Sequence, residues 1–148
     1  MATDSEKIVH HLNGFLEGVA LFSTLFLSNG AVAFEAELLA PGTLPERAAR
    51  QTTEAEFQAV LLQWLRFGIV ERPAHAPEAS PTSSEKALLG VTSDALGEVM
   101  VQIRQLFGGN EFRVYCPLEK MHPVEVLQDE FVFTSANTQL YLRGGWSD

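Results

Sequence analysis

The side chains with chemistry to offer are few and scattered along the chain. His122 sits between Met121 and Pro123, with Glu119, Glu125, Asp129 and Glu130 close by in sequence. An imidazole among carboxylates is the minimum for general acid–base work. No nucleophile is paired with it, so a turn histidine is expected. Cys116 is the sole cysteine, which rules out an internal disulfide and any paired-cysteine metal motif. It stands before Pro117 in a strand-like run and is expected to be a small buried apolar residue rather than a reactive thiol. His10 and His11 are adjacent, so in a helix they point to different sides and cannot chelate one metal together. Gly144-Gly145 has no helix after it and is therefore no phosphate loop. The expectation is no catalytic residue, no cofactor and no metal site, hence no enzyme.

Size and charge narrow the classes further. A chain of 148 residues fits one domain, with or without extensions. An apolar share of 46% predicts a folded protein. With 19 acidic and 10 basic residues the formal charge is −9, which repels nucleic acid on average. Met1 to Lys7 is acidic rather than basic and resembles no signal peptide. Gly18 to Phe34 is uncharged, but Ser23, Thr24, Ser28, Asn29 and Gly30 interrupt it. A spanning helix needs about 20 predominantly apolar residues. No membrane segment and a cytoplasmic setting are expected.

The elements that must position these residues follow in order. Thr3-Asp4-Ser5-Glu6 is a capping box that opens a helix. Ile8, Leu12, Phe15, Leu16, Val19, Phe22 and Phe26 recur on one face of it, and Asn29-Gly30 can end it. Residues 4 to 28 would span roughly 37 Å at about 1.5 Å per residue. That apolar face exceeds what a small domain needs to cover itself. Ile8, Leu12, Phe15, Val19, Phe22 and Phe26 are therefore expected to contact a protein partner or a second copy. In 31–39, Val32, Phe34, Ala36 and Leu38 alternate as in a strand, although Ala, Glu and Leu suit a helix nearly as well.

Thr43-Leu44-Pro45-Glu46 predicts a short helix to about Arg50. Thr53 starts the next, with Phe57, Val60, Leu61, Trp64 and Leu65 as its apolar stripe and Gly68 as its end. Prolines 73, 77 and 81 make 72–85 a mobile loop, followed by a returning strand, Lys86 to Val91. Thr92-Ser93-Asp94 then opens a helix carrying Leu96, Val99, Met100, Ile103 and Leu106. The last third holds β-branched and aromatic runs at 112–116, 124–127, 131–134 and 140–142, read as two to four antiparallel strands.

Thr43 to Arg50, Thr53 to Phe67, Gly68-Ile69-Val70-Glu71-Arg72, and Leu89-Gly90-Val91-Thr92 with Asp94 and Gly97 together resemble a winged helix–turn–helix. The resemblance implies a winged-helix body over 43–107, from whose usual pattern the long proline-rich wing tip and the β-rich tail depart; with the long N-terminal helix read within 1–42 and the antiparallel β extension read over 108–148, the expected fold is α+β. Winged helices serve DNA, RNA and protein alike. A DNA reader uses the start of its second helix, and here that start offers Thr52, Thr53, Glu54, Glu56 and Gln58. Carboxylates there oppose phosphates. Residues 43–92 carry a net −1 and the flanks −8. The function expected is therefore a non-catalytic protein-interaction or regulatory adaptor, a homodimer or a subunit of an assembly. The alternative is a DNA-binding transcriptional regulator that contacts nucleic acid through Arg47, Arg50, Arg72 and Lys86.

Overall fold

The computed structural model describes residues 3–67 and 83–148, with side chains throughout except at 83–85. The chain is α+β. The elements in order are helix α1 (Asp4–Thr24), strand β1 (Ala31–Leu39), a short 3-10 turn (Glu46–Ala48), β2 (Ala49–Thr52), α2 (Glu54–Leu65), α3 (Ser83–Leu106), β3 (Arg113–Pro117), β4 (Leu127–Thr134) and β5 (Gln139–Ser147). The strands form one antiparallel sheet in the order β1-β5-β4-β3-β2. Strands from 1–42, 43–107 and 108–148 thus share one sheet.

α1 starts where the capping box places it. Glu6 N–H donates to Thr3 Oγ1 at 3.1 Å, and Thr3 N–H donates to the Glu6 carboxylate at 2.9 Å. The helix ends at Thr24, a turn earlier than Asn29-Gly30 suggests. Gly30 serves the next bend instead, with φ at +75°. A Cβ there would lie 2.4 Å from the Ser147 carbonyl oxygen, so only glycine fits. Residues 31–39 are a strand, in register with β5 from Ala31↔Ser147 to Leu39↔Gln139.

Two local expectations are corrected. Thr43 to Arg50 is not a helix: only Glu46–Ala48 makes a 3-10 turn, and Ala49–Thr52 pairs with β3. The Gln139 side chain bonds both the N–H and the carbonyl of Leu44, at 3.1 and 3.2 Å, and ties that bend to the sheet. Strand pairing outweighs the local capping signal. Lys86 to Val91 is not a returning strand but part of α3, so the described residues contain no wing hairpin reaching Leu89. Lys, Ala and Leu are strong helix formers, and Thr92, Ala95, Val99, Ile103 and Leu106 give one continuous buried stripe. Thr92, expected to open a helix, lies inside one, its hydroxyl donating to the Leu89 carbonyl at 2.7 Å. The expected turn at Gly68-Ile69 and loop 72–82 lie outside the described residues.

Period-two alternation gives the sheet two faces. Phe34, Ala36, Val114, Phe131, Phe133, Leu140 and Leu142 join the core formed with the three helices. Phe57 of α2 meets Phe131 and Phe133 edge-to-face at 5.0 and 4.7 Å. Gly144 lies opposite Phe34, and a Cβ on it would strike that ring at 2.9 Å. Gly144 is therefore a flat bed for an aromatic, whereas a Cβ on Gly145 would meet the Leu127 carbonyl oxygen. The opposite face carries Gln139, Tyr141, Arg143 and Glu130, all buried. Among the described residues no helix is long and apolar enough to cross a membrane.

Candidate functional site

α1 and α3 leave an open groove of about 770 Å³ between them. Gly14, Phe15, Gly18, Val19 and Phe22 line it from α1, and Val91, Thr92, Asp94, Ala95 and Glu98 from α3. On α1 these positions recur at three- and four-residue steps, which puts them on one face; the α3 set does the same from Val91 to Glu98.

The end of α2 pins both walls at one level. Ser23 Oγ, buried, donates to the Leu65 carbonyl at 2.9 Å. Arg66 donates to Thr92 Oγ1 at 2.9 Å, to the Leu89 carbonyl at 3.2 Å and to Ser93 Oγ at 2.9 Å. Adjacent residues of one helix end thus hold α1 beside Phe22 and α3 beside Val91 and Thr92. The groove is built into the fold by hydrogen bonds with satisfied partners.

Its chemistry is apolar with an acidic rim. Asp94 and Glu98 are the charged residues of its lining. Gly14 and Gly18 are exposed within a helix, and a Cβ on either would meet nothing within 4 Å. Glycine costs a helix interior about 1 kcal/mol relative to alanine. Among the described residues no contact offsets that cost at these two positions, and their missing side chains widen the groove.

The predicted partner-contact residues separate into three groups. Phe15, Val19 and Phe22 line the groove. Leu12 is 0% exposed and belongs to the interior, and Ile8, partly buried, packs against the core away from the groove lining. Phe26 lies past the helix end, 39% exposed and 5.3 Å edge-to-face from Phe22. The α3 wall was missed because the segment to Val91 read as a strand; the spacing of Val91, Ala95 and Glu98 was the available signal.

Of the predicted nucleic-acid contacts, Arg47, Arg50 and Lys86 are among the described residues, and Lys86 stands at the far end of α3 from the other two. Arg47 is exposed on the 3-10 turn, and Arg50 on β2 lies 3.9 Å from Glu56. Arg104, near the end of α3, pairs with Glu54 at the start of α2. Lys86 is 18 residues before Arg104 on the same helix, roughly 27 Å away at about 1.5 Å per residue. Arg72 lies outside the described residues.

His122 lies on the other face of the sheet. Its Nε2 is 3.2 Å from Glu37 Oε2, and its ring stands edge-on to Tyr141 at 5.0 Å. Around it the Glu130 carboxylate accepts the Met121 and His122 N–H groups at 3.0 Å and the Tyr141 hydroxyl at 2.6 Å. Arg143 reaches Glu35 at 2.6 Å and Glu125 at 3.0 Å. Burial, then the Glu130 hydrogen bond, raises the Tyr141 pKa well above that of a free phenol. Arg143 also holds its proton more tightly than usual: the Glu35 and Glu125 bonds outweigh the opposing effect of burial. These contacts fasten residues 121–125 onto the sheet. Among the described residues no three His, Cys, Asp or Glu side chains are grouped to hold a metal ion. Cys116 is half-buried, and burial pushes its thiol up, as suits an unreactive cysteine.

No family model and no curated protein matches this chain. Among solved structures, the crystal structure of citrus MAF1 aligns over 95% of this chain and 98% of its own, at 11% identity and a TM-score of 0.37. Agreement at that level assigns no activity.

Proposed function

We propose that this protein is a non-catalytic interaction or regulatory adaptor module whose α1–α3 groove receives an amphipathic helix from a protein partner. The observation that carries this is a pinned apolar groove whose charged lining residues, Asp94 and Glu98, are both acidic. Charge complementarity selects an occupant with apolar residues at helical spacing and Lys or Arg along the flanks. Gly14 and Gly18 let its backbone come close.

The test uses a synthetic helical peptide with leucines at i, i+3, i+4 and i+7 and lysine flanks, followed by fluorescence anisotropy. The natural chain binds it, and a glutamate-flanked version binds at least tenfold more weakly. Gly18→Leu fills the groove and abolishes binding while leaving the fold as stable or more so, because the helix gains propensity of about 0.8 kcal/mol. Asp94→Lys with Glu98→Lys removes the preference for basic flanks. Peptide binding that Gly18→Leu leaves untouched overturns the proposal. So does a dimer, seen by sedimentation, that Gly18→Leu dissolves, since the groove would then hold a second copy.

A further inference from the structure

Among the described residues β1 is an edge strand of nine residues, Ala31–Leu39, with β5 on one side only. Its sequence is apolar apart from Glu35 and Glu37. A long apolar edge is a template for pairing with another chain. In an antiparallel ladder, alternate residues turn their N–H and carbonyl away from the partner strand. On β1 two of the residues that do so are met by side chains of α1. The Asn13 carboxamide accepts the Ala36 N–H at 2.8 Å and donates to the Ala36 carbonyl at 2.6 Å. Thr24 Oγ1 accepts the Val32 N–H at 3.1 Å and faces the Val32 carbonyl at 3.5 Å. Each side chain fills both hydrogen-bonding positions that a residue of a neighbouring strand would take.

Between Val32 and Ala36 lies Phe34, the next position with the same outward phase. A cleft of about 340 Å³ opens there, lined by Asn13, Glu17, Ala20, Leu21 and Thr24 from α1. Glu17 is exposed and is the charged residue among those that line this cleft. An incoming strand would have to displace two satisfied hydrogen-bonding side chains and approach a carboxylate. The other edge, β2, has only four residues, and short edges are poor templates.

We infer that α1 guards the free edge of the sheet: Asn13 and Thr24 substitute for a sixth strand at Ala36 and Val32, Glu17 adds its charge to the cleft at Phe34, and together they keep β1 from pairing with β1 of a second copy. The partner so excluded has the chemistry of β1 itself, an extended apolar segment. This role is independent of the groove, which lies on another face of the same helix.

The test compares the natural chain with Asn13→Ala/Thr24→Val by sedimentation and by amide hydrogen exchange. The double variant is expected at least to double its weight-average mass at equal concentration. Adding Leu38→Pro, at an outward-facing position whose N–H serves no ladder bond to β5, restores the original mass. In the single variants the Ala36 amide (Asn13→Ala) or the Val32 amide (Thr24→Val) exchanges at least tenfold faster. Repeating the set in the Gly18→Leu background removes any association through the groove. If the double variant does not fold, Thr24→Val/Glu17→Ala, which keeps Asn13, carries the same two readouts. Faster exchange with no rise in mass overturns the guarding role, and unchanged exchange overturns the substitution for a strand.

Discussion

The two faces of the sheet are built from the same strands by opposite means. On β5, Leu140 and Leu142 face the helices, while Gln139, Tyr141 and Arg143 face the other way. On β4, Phe131 and Phe133 oppose Glu130 in the same manner. All of these residues are buried, so depth is not the difference. The helix face is held by apolar burial and aromatic packing, which are non-directional and summed over many contacts. The other face is held by a few directed bonds: Glu130 to Tyr141, Met121 and His122, and Arg143 to Glu35 and Glu125. The first kind of face loses stability in proportion to what is removed. The second loses it by stranding whatever the removed group had satisfied.

Three changes sharpen that contrast. Phe133→Ala deletes a fully buried ring that touches both Phe57 and Phe112, and should cost about 4 kcal/mol in urea unfolding. Phe133→Leu should recover more than half of that, because volume matters more than direction there. Arg143→Ala should cost about 3 kcal/mol, at the low end for a buried pair, because Glu35 is half-exposed whereas Glu125 is not. Unlike the phenylalanine case, Arg143→Lys should recover little, since one ammonium cannot span Glu35 and Glu125 as the guanidinium fork does. Equal rescue by the conservative variants on both faces would erase the distinction.

The smallest of the three effects is read against pH. The Tyr141 pKa is raised in the folded state, first by burial and then by the Glu130 bond. The native state therefore keeps its proton where the unfolded chain, titrating near 10, releases it. Its contribution is complete below pH 10 and falls as pH rises beyond 10, by up to about 1.4 kcal/mol per pH unit. Tyr141→Phe should cost about 1 kcal/mol at pH 7 and flatten the alkaline decline. A decline just as steep in the variant would show that the phenol contributes nothing to it.

Local signals in the sequence were reliable where a helix start or an alternating run was also what packing required. Thr3 and Glu6 cap α1 as their spacing says, and Phe57, Leu61, Trp64 and Leu65 are buried on α2 as their stripe says. They failed where a distant residue intervened. Gln139 ties the bend at Leu44 to the sheet from 95 positions away, and nothing near Leu44 announces it. Thr92 looks like a helix cap because threonine is one, yet the Lys86–Val91 segment continues the helix through it. The winged pattern depended on both of those stretches.

The candidate site divides along the same line. The amphipathic period of α1 put Phe15, Val19 and Phe22 on one face, the face that lines the groove, and that much was readable from spacing alone. Periodicity is a property of one segment. It could not say that Leu12 would turn into the core, that Val91 and Ala95 would supply the opposite wall, or that Asn13 and Thr24 would meet the β1 edge. Those outcomes depend on which elements lie side by side, and only the assembled sheet and helices decide that.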